Sequence, residues 1–337
     1  MYKKTINPMT AKELLQEEYQ PRLEIIPNLL FGGCYILVGP PKVGKSFLAM
    51  QFAHHLSIGK QLWDFPIKQE KVLFCALEDN KERLQRRYGL LSEYYLNDNL
   101  YFVTEAPLLI DGLADEISKF CIDKGCKLVI IDTLQMIRTI QTNQTAYGDD
   151  YLVLSTLRDL ANKIQACILI LHHTRKMDAS DPFDLISGTN GIFGAVDGAM
   201  ILMKKNRINN EAQLFCTGRD ISDIVLSLSF ERTSCQWQCT NIDTQPWIQP
   251  PDPFLEAINK IVMDCGGHWA GTPKALWERL NDKRWAMNKV TVRLNVNVNR
   301  LLAEYNITYL HKRSATKMIY LDYSDGRVPV CDNNDEE

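Results

Sequence analysis

The segment GPPKVGKS at 39–46 spaces two glycines, a lysine and a hydroxyl residue as phosphate binding requires. Gly39 and Gly44 let backbone N–H groups turn towards phosphate oxygens, with Pro40, Pro41, Lys42 and Val43 forming the loop between them. A helix beginning near Lys45 adds its positive end, and Phe47 lies in its first turn. Lys45 is expected to reach the β- and γ-phosphates of a nucleotide and Ser46 to offer its hydroxyl to a metal, so ATP and Mg²⁺ are the implied ligands.

Two acidic strings extend this chemistry. In KLVIIDT, Asp132 ends an apolar run and stands where the carboxyl edge of a parallel sheet would hold a Mg²⁺ shell; a turn-capping aspartate would look the same. In ALED, Glu78 also ends such a run and can deprotonate an attacking water. It can equally be an acid at the N-terminus of the helix KERLQRR, although Asp79 suits that cap better. Both readings of Glu78 stay open on spacing alone.

The elements that must position these groups are legible from 34 to about 232. The runs 34–39, 71–77, 100–103, 127–132 and 166–173 are rich in Val, Ile, Leu and Phe without clean alternation, as expected of strands covered on both faces. Helical patterns fall near 45–57, 80–95, 113–124 and 148–164, so the fold class is α/β with a mostly parallel sheet and right-handed crossovers. AMILMKK, AQLFCTG and VLSLSFE read as antiparallel strands added to the sheet's edge. LEIIPNLL, inside an otherwise polar N-terminal segment 1–30, is expected to pack beside the first strand. The proline-rich stretch 244–253 marks a linker, 254–323 a small α+β unit, and 324–337 an acidic tail.

The 337 residues carry a formal net charge of −3, so binding to nucleic acid has to come from local patches. Ten cysteines are scattered, with Cys75, Cys167 and Cys216 in apolar runs, as buried small hydrophobes would be. Cys235 and Cys239 have no second pair at zinc-binding spacing. No signal peptide or membrane-length apolar run is present, which reads as a cytoplasmic protein without a membrane partner.

The ordered strings LLFGGCYILVGPPKVGKS, LED, LVIIDTL and ILILHHTRK resemble those of the RecA-like ATPases, and among them the RepA-type hexameric helicases of plasmids and mobile elements. The resemblance covers about 25–232. It implies Glu78 as catalytic base and His173, more than His172, as a γ-phosphate sensor; taken alone, the pair is two polar groups ending a strand. It also implies a homo-oligomer, a ring of six, acting on single-stranded DNA. The loop 174–194 would line its channel, with Arg175 and Lys176 as cations and Ser187, Gly188, Thr189 and Asn190 as donors, and 138–150 would be a second DNA loop. Alone, 174–194 is also compatible with a surface loop. A basic finger acting across the subunit boundary is assigned first to Arg219, with Lys204, Lys205 and Arg207 as rivals.

Helices followed by a basic hairpin in 254–323 suggest a winged helix-turn-helix. Residues 251–323 hold 11 Lys and Arg against 7 Asp and Glu, opposite in sign to the whole chain. Thr272 is expected to cap the helix begun by Pro273, over a core of Trp269, Leu276, Trp277 and Leu280. Asn288–Arg300 would be the recognition helix, presenting Lys289, Thr291, Arg293, Asn295, Asn297 and Arg300, with Lys312 and Arg313 on the wing. Duplex DNA or a replication protein would be the partner of this unit. An ATP-controlled DNA-binding regulator without unwinding activity is the alternative to a motor.

Overall fold

A computed structural model describes residues 7–17, 22–138, 146–173, 194–204, 210–219, 221–244, 251–282, 284–313 and 317–324. They form two compact units, one from 23 to 244 and one from 7–22 together with 251–324.

The first short helix, α1 (Ala11–Gln16), is opened by a reciprocal cap in which Thr10 and Glu13 bond each other's backbone N–H groups. The larger unit follows with a small ribbon, β1 (Glu24–Ile26) and β2 (Leu30–Phe31), and then the first strand of the main sheet, β3 (Gly33–Gly39). Next come α2 (Lys45–Ile58), β4 (Lys71–Ala76), α3 (Lys81–Leu91), β5 (Leu100–Val103), α4 (Leu113–Lys124), β6 (Cys126–Asp132), the single turn α5 (Leu134–Ile137), α6 (Ala146–Ile164) and β7 (Cys167–His173). Four further strands close the unit: β8 (Gly198–Met203), β9 (Glu211–Gly218), β10 (Ile221–Glu231) and β11 (Gln236–Thr244).

These strands make one nine-stranded sheet in the order β11-β10-β9-β8-β3-β7-β6-β4-β5. The six from β8 to β5 run parallel. Two expectations need correction here. The segment AMILM (β8) joins β3 in parallel, becoming part of the central sheet, and only β9 to β11 are antiparallel additions. Apolar content cannot separate the two, because β8 is buried on both faces either way. The helix expected over 80–95 ends at Leu91, because Glu93 and Tyr94 take left-handed backbone conformations.

The missing alternation in the parallel strands has a direct cause. Along β3, Cys34, Ile36 and Val38 face a core with α4 and α6, while Tyr35 and Leu37 face a second core with α2. Each strand fills both layers, so both sets of alternate side chains must be apolar. Cys75, Cys167 and Cys216 are buried thiols within it.

The smaller unit contains α7 (Pro253–Asp264), β12 (His268–Gly271), α8 (Pro273–Leu280), α9 (Val290–Val296), α10 (Val298–Tyr305), β13 (Ile307–Arg313) and β14 (Lys317–Tyr323). Its sheet has the order β12-β14-β13, antiparallel throughout. The Thr272 hydroxyl accepts from the Ala275 N–H at 3.2 Å with Pro273 at the first helical position, the cap expected. Trp269 and Leu276 are buried, with Trp277 and Leu280 packed against them. The single recognition helix expected over 288–300 is instead broken at Asn297. That residue leaves helical geometry, and its side chain donates back to the Arg293 carbonyl at 2.8 Å. β-Branched and Asn residues favour such local alternatives over a continuous helix. Among the described residues no helix is long and apolar enough to cross a membrane.

Candidate active site at the carboxyl end of the parallel strands

Register places the site. Gly39 of β3 stands opposite His173 of β7, Ala76 of β4 opposite Asp132 of β6, and Asp132 opposite Leu171 of β7, so four strands end within two residues of one another. A parallel sheet gathers its carboxyl ends, and whatever follows each strand is delivered to the same crevice.

After β3 the chain makes the loop 40–44 and enters α2. Gly44 at the helix start has φ +111°, in the left-handed region, and no side chain caps the helix. The first N–H groups of α2 therefore keep their donors for something other than the protein's own side chains. A Cβ on Gly44 would lie 2.8 Å from the Trp237 ring, and one on Gly39 would lie 2.5 Å from the Leu202 carbonyl of β8, so both positions need glycine. A free helix N-terminus beside a glycine turn fits a phosphate chain.

Lys45 is almost fully buried, and its ammonium donates to the carbonyls of Gly39 at 2.8 Å and Pro40 at 3.1 Å. Burial pulls its pKa down to about 8, against the attraction of Asp132 and Glu78. It also stands 3.0 Å from His173 Nδ1. Burial, then the neighbouring Lys45 charge, hold the His173 pKa below the usual histidine range, so the ring is neutral and Nδ1 accepts from the ammonium. Its Nε2 then carries the proton, 3.8 Å from Glu78 Oε1.

Asp132 is 5 % exposed, and burial pushes its carboxyl up to about 6, opposed by a hydrogen bond from Ser46 and by Lys45. An aspartate and a serine hydroxyl joined in this way are a donor set that suits a hard divalent cation with phosphate oxygens. Glu78 is more open, with 43 % of its side chain exposed, and accepts from the Thr133 hydroxyl at 2.8 Å. Thr133 was not singled out in the sequence, although it directly follows Asp132. Asp79 is not the cap of α3: Asn80 fills that role, accepting from the Arg83 N–H. Asp79 instead pairs with Arg83 and Arg87, each at 2.7 Å, because its side chain turns back along the first two turns of the helix.

Gln51 and Trp237 were also missed. The Gln51 amide bonds both backbone groups of Trp237, at 2.9 and 2.8 Å, and fastens β11 against α2. No spacing rule links residues 186 positions apart. His172 is held to about 4 by burial, and its Nδ1 is buried with no hydrogen-bond partner among the described residues. Pro40, Pro41 and Lys42 are exposed on the loop, Val43 is buried, and Phe47 packs on Phe230 with ring centroids 5.4 Å apart.

Arg219 lies at the other end of the sheet. Gly218 pairs with Gly198, the first residue of β8, and the guanidinium donates to the Gly194 carbonyl at 3.0 Å and sits 3.7 Å from Asp197. Lys204 follows the last residue of β8, on the Lys45 side. Arg175, Lys176, 187–190, Lys205 and Arg207 lie outside the described residues, as do 139–145 of the other expected DNA loop. Arg138, at its start, is bound to the buried Asp150 at 2.6 Å.

In the smaller unit Lys289 is exposed. Lys312 is exposed with its ammonium 5.6 Å from the Tyr320 ring. Arg293 is engaged inside the unit: it pairs with Asp252 at 3.0 Å and stacks 4.8 Å from the Phe254 ring centroid. The Arg313 backbone lies in β13; its side chain is outside what is described.

The family model of an AAA domain, AAA_25, matches residues 4–179. Among solved structures, the ATPase domain of G40P superposes with a TM-score of 0.52 at 13 % identity, covering 62 % of this chain and 85 % of that one. A DnaB-like replicative helicase, solved to show its interactions with primase, gives a TM-score of 0.51 at 13 % identity, covering 61 % of this chain and 57 % of that one. At this identity the two superpositions establish a shared RecA-like fold.

Proposed function

Because this chain belongs to the AAA_25 family of AAA domains, we propose that it hydrolyses ATP and uses the cycle to move on single-stranded DNA as a helicase of the RepA type, assembled as a ring of six. The observation that carries the hydrolysis reading is the meeting of Lys45, Ser46, Asp132, Glu78 and His173 at one sheet end.

In this reading the loop 39–44 and the first N–H groups of α2 cradle the phosphates, and Lys45 turns its ammonium onto the β/γ oxygens. Ser46 and Asp132 would hold Mg²⁺, and the cation would supply charge neutralisation on the phosphates. Glu78, steadied by Thr133, takes a proton from the attacking water as its oxygen bonds to the γ-phosphorus and the bond to the β-phosphate oxygen breaks. His173 touches both Lys45 and Glu78, so its neutral ring can register γ-phosphate loss and pass the change to 174–194. Arg219 keeps the trans-finger assignment as a proposal, since a finger serves a neighbouring site and its distance from Lys45 in the same chain is no obstacle. The nine described cysteines are free thiols.

The α–β–α–α–α–β–β order of the smaller unit, with its last two helices meeting at Asn297, favours a winged helix that directs the motor to duplex DNA or to a replication protein. It also keeps the second reading alive, an ATP-controlled regulator without unwinding. The test is ATP turnover by the purified protein with and without single-stranded DNA at one fixed salt concentration. Strong stimulation supports the motor; turnover indifferent to single strands, with no strand displacement, removes it in favour of the regulator.

A further inference from the structure

Trp237 lies in β11 and is completely buried, although a seam of polar contacts surrounds it. Its indole N–H donates to the Gly44 carbonyl at 3.3 Å, and its ring fills the space that a side chain on Gly44 would need. Its backbone carbonyl accepts from Gln51 at 2.9 Å and from the Trp63 indole at 2.7 Å, and its N–H donates to Gln51 at 2.8 Å. These bonds fix the height of β11 against α2 to within a hydrogen-bond length. The ring also lies 5.4 Å from the Lys204 ammonium and 5.0 Å from the Phe230 ring, which in turn packs on Phe47.

The peptide held by the indole joins the phosphate loop to α2, and its carbonyl also accepts the Leu48 N–H at 3.1 Å. Gly44 has φ +111°, and an unsupported glycine has many alternatives to that conformation. A rigid aromatic wall on one side and a donor on its carbonyl remove those alternatives. We infer that Trp237 is a positioning residue for nucleotide binding, holding the Gly44 turn in the one conformation that aims the α2 N-terminus at phosphate. The residue lies beyond the segment matched by the family model, so the cradle depends on a part of the chain outside it.

The inference deepens the reading of Lys45 and its loop as an ATP site and rests on it. Phosphate contacts from the loop are present in both bound substrate and transition state, so their misplacement raises KM and leaves kcat nearly unchanged. Trp237→Phe keeps a ring but loses the N–H; Trp237→Leu loses both.

The experiment measures steady-state ATP turnover, the affinity for a fluorescent ATP analogue and the thermal midpoint for wild type and both variants of the full chain. Trp237→Leu is expected to raise KM and the analogue's Kd about tenfold, as losing a hydrogen bond and its packing would, with Trp237→Phe in between. If Leu does not fold, Phe carries the comparison alone. A lowered thermal midpoint with unchanged KM and Kd in Phe overturns the inference and leaves Trp237 a core residue only. Wild type that binds the analogue without hydrolysis overturns the ATPase reading, while the affinities still decide on Trp237. Wild type that does not bind overturns both.

Discussion

The two units treat polar side chains in opposite ways. At the end of the large sheet, Lys45, Ser46, Glu78, Asp132 and His173 come from four different strand ends and face one another across a few ångströms. In the smaller unit, the polar positions of 288–300 were expected to face DNA, yet four of them bond within the unit. Arg293 pairs with Asp252, Arg300 with Glu304, Asn295 accepts from Tyr309, and Asn297 bonds the Arg293 carbonyl. The groups of the large unit gather beside a helix N-terminus that no side chain caps, which suits a ligand, whereas those of the smaller unit are satisfied by one another, which suits the fold.

Substitutions can break this contrast or sharpen it. Lys45→Ala should have the largest effect, abolishing nucleotide binding or cutting turnover by at least about 10²-fold, as loss of a preorganised charge donor does. Glu78→Gln should bind ATP with near wild-type affinity and lose about 10²–10⁴-fold in kcat, the range for a general base. Retained turnover would remove Glu78 from that role. Thr133→Val, which deletes the hydroxyl on Glu78, should lower kcat about tenfold with little change in KM, since one hydrogen bond of orientation is lost. In the other unit, Arg293→Ala should cost roughly 1–2 kcal/mol of stability through the lost ion pair and ring contact. Lys289→Ala should leave stability unchanged. If duplex DNA is the partner, Lys289→Ala weakens its binding and flattens the salt dependence; Arg293→Ala weakening DNA at full stability would break the contrast.

A further expected effect concerns pH. Burial, then His55 and Lys60, hold His54 down to about 4, beside the Tyr88 hydroxyl at 3.2 Å. The unfolded chain binds a proton near pH 6.5 that the folded one refuses until about 4, so stability is full above 6.5 and falls as pH drops towards 4. His54→Gln should reduce that slope in urea midpoints measured between pH 7 and 5.

Most of the large sheet was legible because strands buried on both faces and bounded by helices leave a periodic signature. The helix 113–124 and the strand 100–103 match residue for residue. The loop 39–46 was legible because local spacing alone defines it. The direction of β8 was not, since apolar content is the same whichever way a buried strand runs. Thr133 could have been found from its place after Asp132. Gln51 and Trp237 could not: side-chain amides bonding a distant backbone carry no local pattern. The break at Asn297 was visible only as a run of poor helix formers.

Trp237 and Gln51 meet across 186 residues of chain, and that separation sets an order of events. The parallel strands and α2 come earlier in the chain and can begin to pack as it is made, since domains collapse from the end that emerges first. The turn at Gly44 is then built but unbraced. Only when β11 has docked, a late step because a contact spanning that much chain closes slowly, does the loop acquire its final shape. A nascent or truncated chain ending before 236 would therefore carry the complete signature GPPKVGKS and still grip nucleotide poorly. Competence for ATP would arrive with the last strand of the sheet, a built-in delay between synthesis and action.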